Sequence, residues 1–252
     1  MLDTIRDCDP SKTNEKGGFG KVYFYKDKHP TLGIPVAIKE VIIEETSQKL
    51  KMMSTINERL ASRTLHYAIV PLLAMTEDMG KRSFYFLSPY LENGDLFQML
   101  KDDTEKLNAG RIRDVTLTKQ RRLKILYHIS SALDFLHTPV KDIRGPIIHM
   151  DVKSLNIVLD ADFNARLIDF GLAREMHETE SGIPVTKTEV GGTDGYFPTR
   201  GYSILTKYED YHNFGPRQKQ WSHDHGLPWT MMVVHGHTTI GTMVDHVLLN
   251  DI

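Results

Sequence analysis

One polar loop between two short apolar runs constrains this chain more than any other segment. The runs Ile147–Ile148 and Ile157–Leu159 are separated by the sequence His-Met-Asp-Val-Lys-Ser-Leu-Asn at 149–156. Asp-Phe-Gly follows at 169–171 after a short gap. Charged side chains and an amide lie close to apolar strands here. Buried charged groups are costly unless they have an oppositely charged or hydrogen-bonding partner, so this loop is predicted to be a chemical site.

The apolar pattern predicts an α+β chain whose first ~90 residues are mostly strands. Expected strands cover 22–25, Val36–Ile42, 69–73 and 84–88. Between Thr46 and Leu65, helical spacing of four apolar residues predicts one helix among these strands, namely Leu50, Met53, Ile56 and Leu60. The second part is more helical, with a helix predicted from about Thr118 to His137 and a cap at Thr116 or Thr118. Its expected buried face is Leu123, Leu126, Ile129, Leu133 and Leu136.

Composition excludes several classes of function. The 252 residues are 40% apolar and 25% charged, which is typical of a soluble globular protein. A net charge of −2 gives no strong field that would favour nucleic acid. No stretch approaches the ~20 apolar residues of a membrane span, so we expect no membrane insertion. A single cysteine, Cys8, permits no internal disulfide and fits a reducing, cytoplasmic setting.

Two further segments contain residues suited to binding phosphate. Glycines in 15–22 could bring backbone amides close to phosphate oxygens, although glycine-rich segments between strands are more often plain turns. Lys39 ends the strand-like run Val-Ala-Ile-Lys, and a lysine on a half-buried strand needs an anionic partner. Glu58, in the predicted helix, is the best candidate for that partner. The alternative is a solvated edge lysine and an unrelated surface glutamate.

These motifs together resemble the eukaryotic protein kinase family, from about Glu15 to Gly215. The loop at 149–156 and the later Asp-Phe-Gly share seven identities with the family's catalytic loop and metal-binding motif. Coincidence at seven positions is on the order of one in a billion per register. The resemblance implies a bilobal fold with a small antiparallel sheet lobe at 1–91 and a mainly helical large lobe at 92–215. The segment 216–252 is expected to be a divergent, histidine-rich tail.

The resemblance assigns a role to each residue of the catalytic loop. Asp151 would orient the acceptor hydroxyl and accept its proton, and Lys153 would neutralise charge on the transferring γ-phosphate of ATP. Asn156 and Asp169 would hold Mg²⁺. Thr193, in Gly-Thr-Asp-Gly-Tyr at 192–196, would hydrogen-bond Asp151 and Lys153. A lysine two residues after Asp151 is typical of serine/threonine kinases.

The resemblance also predicts the nucleotide site. Lys39 would contact the α- and β-phosphates and pair with Glu58. The remaining contacts would come from the glycine-rich turn, the strand that carries Lys39, the segment joining the lobes and the strand after Asn156: Gly17, Gly18, Phe19, Gly20, Val22, Ala37, Ser88, Tyr90, Leu91 and Val158. Ser88 would be the gatekeeper, and the backbone of Leu91 would meet adenine.

The chain departs from the family pattern at several positions. Glu15 stands where the first glycine of the phosphate loop belongs, and Met150 replaces the arginine that pairs with a phosphorylated activation loop. The glutamate that ends the activation segment is missing near Thr199 and Arg200. Pro216 interrupts the expected central helix of the large lobe, which predicts that this lobe is incomplete.

Three functions are compatible with these residues. The first is an ATP- and Mg²⁺-dependent serine/threonine protein kinase, whose sequence most resembles the tyrosine-kinase-like group and its Pelle relatives. It would act on a protein substrate in intracellular signalling, in a possible receptor or adaptor complex. The second is a binding module without turnover, because the large lobe is incomplete. The third, a small-molecule phosphotransferase, is disfavoured by the segment 192–196. Histidine pairs in the tail could bind zinc, although unstructured polar sequence is the better interpretation.

Overall fold

A computed structural model describes most of the chain up to residue 176. The described residues are 14–17, 20–25, 27, 29, 32–43, 55, 57–78, 80, 82–176, 232–234 and 237–239. Side chains are described for all of these except 14–17, 62–63, 232–234 and 237–239. The predictions for Gly18, Phe19, Thr193, Thr199, Arg200 and Pro216 lie outside the described residues.

The first part of the chain forms a five-stranded antiparallel sheet. Its strands are β1 (Asn14–Gly17), β2 (Gly20–Tyr25), β3 (Val36–Ile42), β4 (Ala74–Asp78) and β5 (Ser83–Pro89), in the spatial order β1-β2-β3-β5-β4. Every neighbouring pair is antiparallel. The predicted small sheet lobe is therefore confirmed.

Alternation along β3 gives the sheet two different faces. Val36, Ile38 and Glu40 share one face, where Val36 and Ile38 are fully buried against Tyr85 and Leu87 of β5. Glu40 is also buried there, and its carboxylate accepts hydrogen bonds from the hydroxyls of Tyr23 (2.6 Å) and Tyr85 (2.8 Å). Lys39 therefore projects from the opposite face.

The strand predicted at 69–73 is wrong. Ile69 forms an isolated bridge with Leu167, and the regular strand begins later, at Ala74. Pro71 has no N–H to donate to a strand partner, which interrupts the ladder. The apolar side chains of this run still enter the core, since Ala68, Ile69 and Val70 are buried.

Helical backbone at Thr55, Asn57 and Glu58 runs directly into a 3-10 turn at Arg59–Arg63. The other residues of the helix predicted between 46 and 65 either belong to this turn, follow it or lie outside the described part of the chain. Ala61 of the turn is buried in the main core together with Phe170. Glu58 is thus placed at the junction between the sheet and the second part of the chain.

Two long helices lie in the described residues of the second part, between 82 and 176. Helix α1 (Leu96–Asn108) begins at Asp95, whose side chain accepts from Gln98 N, and helix α2 (Lys119–His137) begins at Thr118, which accepts from Arg121 N. The α2 prediction and the choice of Thr118 as one of two possible caps are confirmed. Its expected buried face is correct except at Leu123, which is 49% exposed.

Short strands position the polar loop against these helices. Strand β6 (Ile147–Ile148) pairs with β9 (Arg174–Glu175), and β7 (Ile157–Leu159) pairs with β8 (Ala165–Leu167). The buried residues of β7 and β8 join the core of α2, which also contains the ring of Phe170. Both ends of the polar loop are consequently fixed to the core.

The tail contains one element that the sequence analysis did not predict. Strands β10 (Met232–Val234) and β11 (His237–Thr239) pair antiparallel, with Val234 opposite His237. Valine and threonine, which are present in these strands, favour extended backbone. The interpretation of the tail as unstructured is wrong for these six residues.

The observed architecture agrees with the α+β class and with a sheet lobe followed by a helical lobe. In the part of the chain that the structure describes, no helix has both the length and the apolar character needed to cross a membrane.

We predict that Gly20→Ala destabilises the sheet. A Cβ at Gly20 would lie 2.1 Å from the carbonyl oxygen of Glu40, so β2 and β3 would have to separate. The free energy of unfolding, measured by urea denaturation, should fall by about 1–3 kcal/mol. Gly80→Ala is the control, because its nearest neighbour within 4 Å is Asp78 Oδ1 at 3.4 Å. Equal stability of the two variants would contradict this prediction.

We also predict that Asp103→Asn weakens the packing of α1 against the segment before α2. The carboxylate of Asp103 is buried and accepts from Thr116 N (2.8 Å), Leu117 N (2.7 Å) and Lys106 Nζ (3.0 Å). An amide can keep only part of this set, so the free energy of unfolding should fall by about 1–3 kcal/mol. The exposed neighbour provides the control Asp102→Asn.

The Asp103 effect should depend on pH. Burial alone would raise the pKa of Asp103, but the two backbone N–H groups and Lys106 outweigh burial and lower it. The folded state therefore binds fewer protons than the unfolded state, and the stabilisation is present above the unfolded pKa of about 3.9. It is lost as the pH falls through the folded pKa. A difference between wild type and Asp103→Asn that stays constant down to pH 2 would contradict this account.

Candidate active site

Lys39 is the centre of a charged cluster that joins three parts of the fold. Its Nζ forms ion pairs with Glu58 Oε1 and with Asp169 Oδ1, the latter at 2.7 Å. Lys39 comes from β3, Glu58 from the helical turn before Arg59, and Asp169 from the segment after β8. The predicted pairing of Lys39 with Glu58 is present, and the alternative of a solvated edge lysine is excluded by a side-chain exposure of 19%.

Electrostatic interactions within this cluster keep Lys39 and Asp169 charged. Burial alone would lower the pKa of Lys39, but Glu58 and Asp169 outweigh burial and hold it above its ordinary value. Burial would likewise raise the pKa of Asp169, yet the charge and hydrogen bond of Lys39 hold it well below the usual range. For Glu58, burial and the neighbouring Asp169 outweigh Lys39 and raise the pKa to about 7. Asp169 is therefore the more strongly acidic of the two carboxyls.

The second cluster lies in the polar loop and centres on Asp151. Lys153 Nζ lies 2.7 Å from Asp151 Oδ2, and Asn156 Nδ2 donates to the same oxygen at 2.9 Å. Asn156 Nδ2 also donates to the backbone carbonyl of Asp151 at 2.8 Å. Asp151 is 6% exposed and Asn156 5% exposed, so these contacts fix both side chains at the edge of the core. The structure therefore brings together Asp151, Lys153 and Asn156, three of the residues predicted from the catalytic loop.

Backbone contacts hold the two clusters next to each other. Ile168 N donates to the carbonyl of Asn156 at 3.0 Å, which sets the residue before Asp169 beside Asn156. His149 strengthens this link, because its Nδ1 accepts from Asp151 N, so the proton lies on Nε2, which donates to Ile168 O. Burial lowers the pKa of His149, which favours the neutral ring that this pattern requires.

The side chains of Asn156 and Asp169 fit a divalent cation. Both hydrogens of the Asn156 amide are used by Asp151, so its Oδ1 points away from Asp151. The carboxylate of Asp169 is held ionised by Lys39. Amide and carboxylate oxygens are the hard ligands that Mg²⁺ prefers.

The segment that joins the two parts of the chain packs on β7. Asn93 N donates to Leu159 O, and Leu159 N donates to Gly94 O, while Asp95 bridges to Val158. Ala37 lies opposite Ser88 in the sheet. The predicted adenine contacts Ala37, Ser88 and Val158 therefore lie on strands that this segment connects.

Leu91, in this connecting segment, has a backbone N–H that could donate to a ligand. Tyr90 N donates to Pro35 O, and Leu91 O accepts from Gly94 N. By contrast, Leu91 N donates to no acceptor within the described part of the chain. A free N–H at this position suits an acceptor atom of a planar ligand.

The predicted phosphate loop is described in part. Gly17 of β1 pairs with Gly20 of β2, and Val22 lies directly opposite Lys39. Gly20 has a structural reason to be glycine, since a Cβ there would meet the Glu40 carbonyl. The described residues of this segment thus lie on β1 and β2, and β2 is the strand next to the one that carries Lys39.

Sequence reasoning missed several polar contacts at this site, including the ion pair of Lys39 with Asp169 and a contact made by Asn57. Asn57 Nδ2 donates to the backbone carbonyl of Gly171 at 3.0 Å, beside the Lys39 cluster. An asparagine before a glutamate in a helix carries no sequence signal for such a contact. The geometry alone reveals it.

Comparisons with known proteins agree with this geometry. The sequence model described as the protein kinase domain matches residues 15–222, passing the expected limit at Gly215. A probable receptor-like protein kinase of Arabidopsis thaliana is 32% identical over 204 residues, which are 79% of this chain and 30% of that protein. The LRR receptor-like serine/threonine-protein kinase ERECTA of the same plant is 35% identical over 221 residues, 84% of this chain and 21% of that protein.

A third relative, the L-type lectin-domain containing receptor kinase I.7 of Arabidopsis thaliana, is 35% identical over 184 residues, 72% of this chain and 24% of that protein. The chain therefore spans between about a fifth and a third of the length of these curated relatives. The kinase match covers most of the chain and contains both charged clusters. The chain belongs to the protein kinase domain family.

Proposed function

We propose that this chain transfers the γ-phosphate of ATP to serine or threonine hydroxyls of a protein substrate. The observation that carries the proposal is the proximity of two clusters, one around Lys39 and one around Asp151, linked by the hydrogen bond from Ile168 N to Asn156 O. Phosphoryl transfer requires mainly that a protein position the reacting groups and neutralise the phosphate charge, and these clusters supply both.

ATP would lie between the sheet and β7. Its adenine would accept from Leu91 N, with Ala37, Ser88, Tyr90 and Val158 around the ring. Its phosphates would meet Lys39 and the backbone of 17–20, with Gly18, Phe19 and Val22 covering them. Lys39 suits this role because its ion pairs with Glu58 and Asp169 stabilise its charge.

Bound Mg²⁺ would neutralise charge on the phosphate oxygens. Asn156 and Asp169 are the residues that would hold it, since their oxygens have the right chemistry and lie on adjacent backbone. Asp169 would do so from a position already fixed by Lys39, so little reorganisation is required on binding.

Asp151 would orient the acceptor hydroxyl and take its proton. Lys153 and Asn156 both contact Asp151 Oδ2, which fixes the plane of the carboxylate. Lys153 would also neutralise the transferring phosphate, and Thr193 would help to seat the acceptor. The lysine and the relatives' names both favour serine and threonine over tyrosine.

Met150 and the names of the relatives bear on how the chain is regulated and where it acts. Met150 cannot pair with a phosphate, so activation through that contact is not expected. The relatives' names describe receptor kinases. These names support a role for this chain in a receptor or adaptor complex on the cytoplasmic side of a membrane. The lobes would divide at 91/92, and the segment from Pro216 would depart from the family's large lobe.

We predict that Asp151→Asn abolishes transfer while nucleotide binding remains. Loss of the proton acceptor should lower the rate at least about 10²-fold. The measurement is transfer of labelled γ-phosphate to a degenerate peptide library that contains serine, threonine and tyrosine acceptors. Label in serine and threonine peptides is the expected wild-type result.

The matched control is Asp162→Asn, an exposed aspartate in the turn between β7 and β8. It should keep the wild-type rate. Wild-type protein that binds Mg-ATP but labels no peptide would refute the proposed function and favour a binding module. Equal rates for wild type and Asp151→Asn would refute the role of Asp151.

A further inference from the structure

A neutral hydrogen bond joins the helical segment of Glu58 to the turn that contains Asp169. Asn57 Nδ2 donates to Gly171 O at 3.0 Å. A backbone carbonyl can only accept, so the amide group of Asn57 must present its NH₂ side there. Gly171 is buried and Asn57 is half-buried, so little water competes for this contact.

Together with a second hydrogen bond, this bond holds the backbone of Gly171 in place. The N–H of Gly171 donates to Asp169 Oδ1 at 3.3 Å, while its carbonyl accepts from Asn57. The peptide groups on both sides of Gly171 are therefore held, one by the side chain of Asp169 and one by the neighbouring helical segment. Rotation of this turn would break both bonds.

The backbone at Asp169 needs such support. Its φ of 67° lies in the left-handed region, which a residue other than glycine holds only when its surroundings impose it. Phe170 contributes by packing in the core, and Lys39 contributes by binding Asp169 Oδ1. Salt screens the ion pair in part, whereas the Asn57 bond carries no net charge.

We propose that Asn57 is a positioning residue for phosphoryl transfer, which holds Gly171 so that the Asp169 carboxylate faces Lys39 and the metal position. The inference rests on the proposed function. Asn57 would act through Gly171 and Asp169, without contact to the nucleotide. Its loss should therefore weaken the response to Mg²⁺ and leave the adenine contacts near Leu91 intact.

The test compares Asn57→Leu, which has similar size but no N–H donor, with Asn57→Gln, which keeps the donor on a longer side chain. Asn108→Leu, at the exposed end of α1, is the control. Thermal unfolding is followed without ligand, with ATP and EDTA, and with ATP across a Mg²⁺ titration. Rates of peptide phosphorylation, as kcat and KM, are measured on the same samples.

In Asn57→Leu, the Mg²⁺ concentration that gives half of the Tm shift should rise about three- to ten-fold, the range for losing one neutral hydrogen bond. The Tm shift with ATP and EDTA should stay at the wild-type value. The value of kcat should fall at saturating ATP, with a smaller change in KM. Asn57→Gln should recover most of the Mg²⁺ response, and Asn108→Leu should match wild type.

Two results would overturn the inference while leaving the function intact. One is a wild-type Mg²⁺ titration in Asn57→Leu. The other is an equal loss of both Tm shifts in the Leu and Gln variants, because that would show a general structural role. A wild-type protein with neither a Mg-ATP shift nor transfer would instead refute the proposed function, and this inference with it.

Discussion

The ion-paired cluster around Lys39 is the constraint on which the rest of this structure depends. A lysine and two carboxyl groups are largely removed from water, and the buried charge of the lysine is tolerable only because the acidic groups lie beside it. The three side chains come from β3, from the segment before the Arg59–Arg63 turn and from the turn after β8. The helical segment and the turn after β8 must therefore meet β3 at one point, which defines the boundary between the two parts of the fold.

Apolar packing holds the Asp151 cluster in register with this point. Strands β7 and β8 lie in the core of α2, and Phe170 fills that core directly beside Asp169. The ring of His149 lies 4.9 Å from the ring of Phe170 and hydrogen-bonds both Asp151 N and Ile168 O. The core thus sets the distance between the two charged clusters, and the clusters set the chemistry that the fold can perform.

Much of this arrangement could be predicted from sequence, because the strongest signals were local. Strand β3 matches its predicted bounds, and Thr118 caps α2 as one of two expected residues. Predictions failed where tertiary contacts or backbone chemistry decided the outcome. Strand β4 begins after Pro71, later than predicted. Leu123 lies outside the buried face of α2. Helix α1 was not predicted, although Asp95 and Gln98 form its cap. The Asn57 contact depends on the turn at Gly171, which is 114 residues away along the chain.

Lys39 organises a nucleotide site only if ATP binding depends on it, and thermal unfolding with and without Mg-ATP measures that dependence. Ligand that binds the native state alone at a hundredfold excess over Kd should stabilise the wild type by about 2.7 kcal/mol. Lys39→Ala should lose most of this shift, whereas Lys101→Ala, an exposed lysine on α1, should retain it. A cooperative melt whose Tm Mg-ATP raises equally in wild type and in Lys39→Ala would show that Lys39 does not organise the nucleotide site.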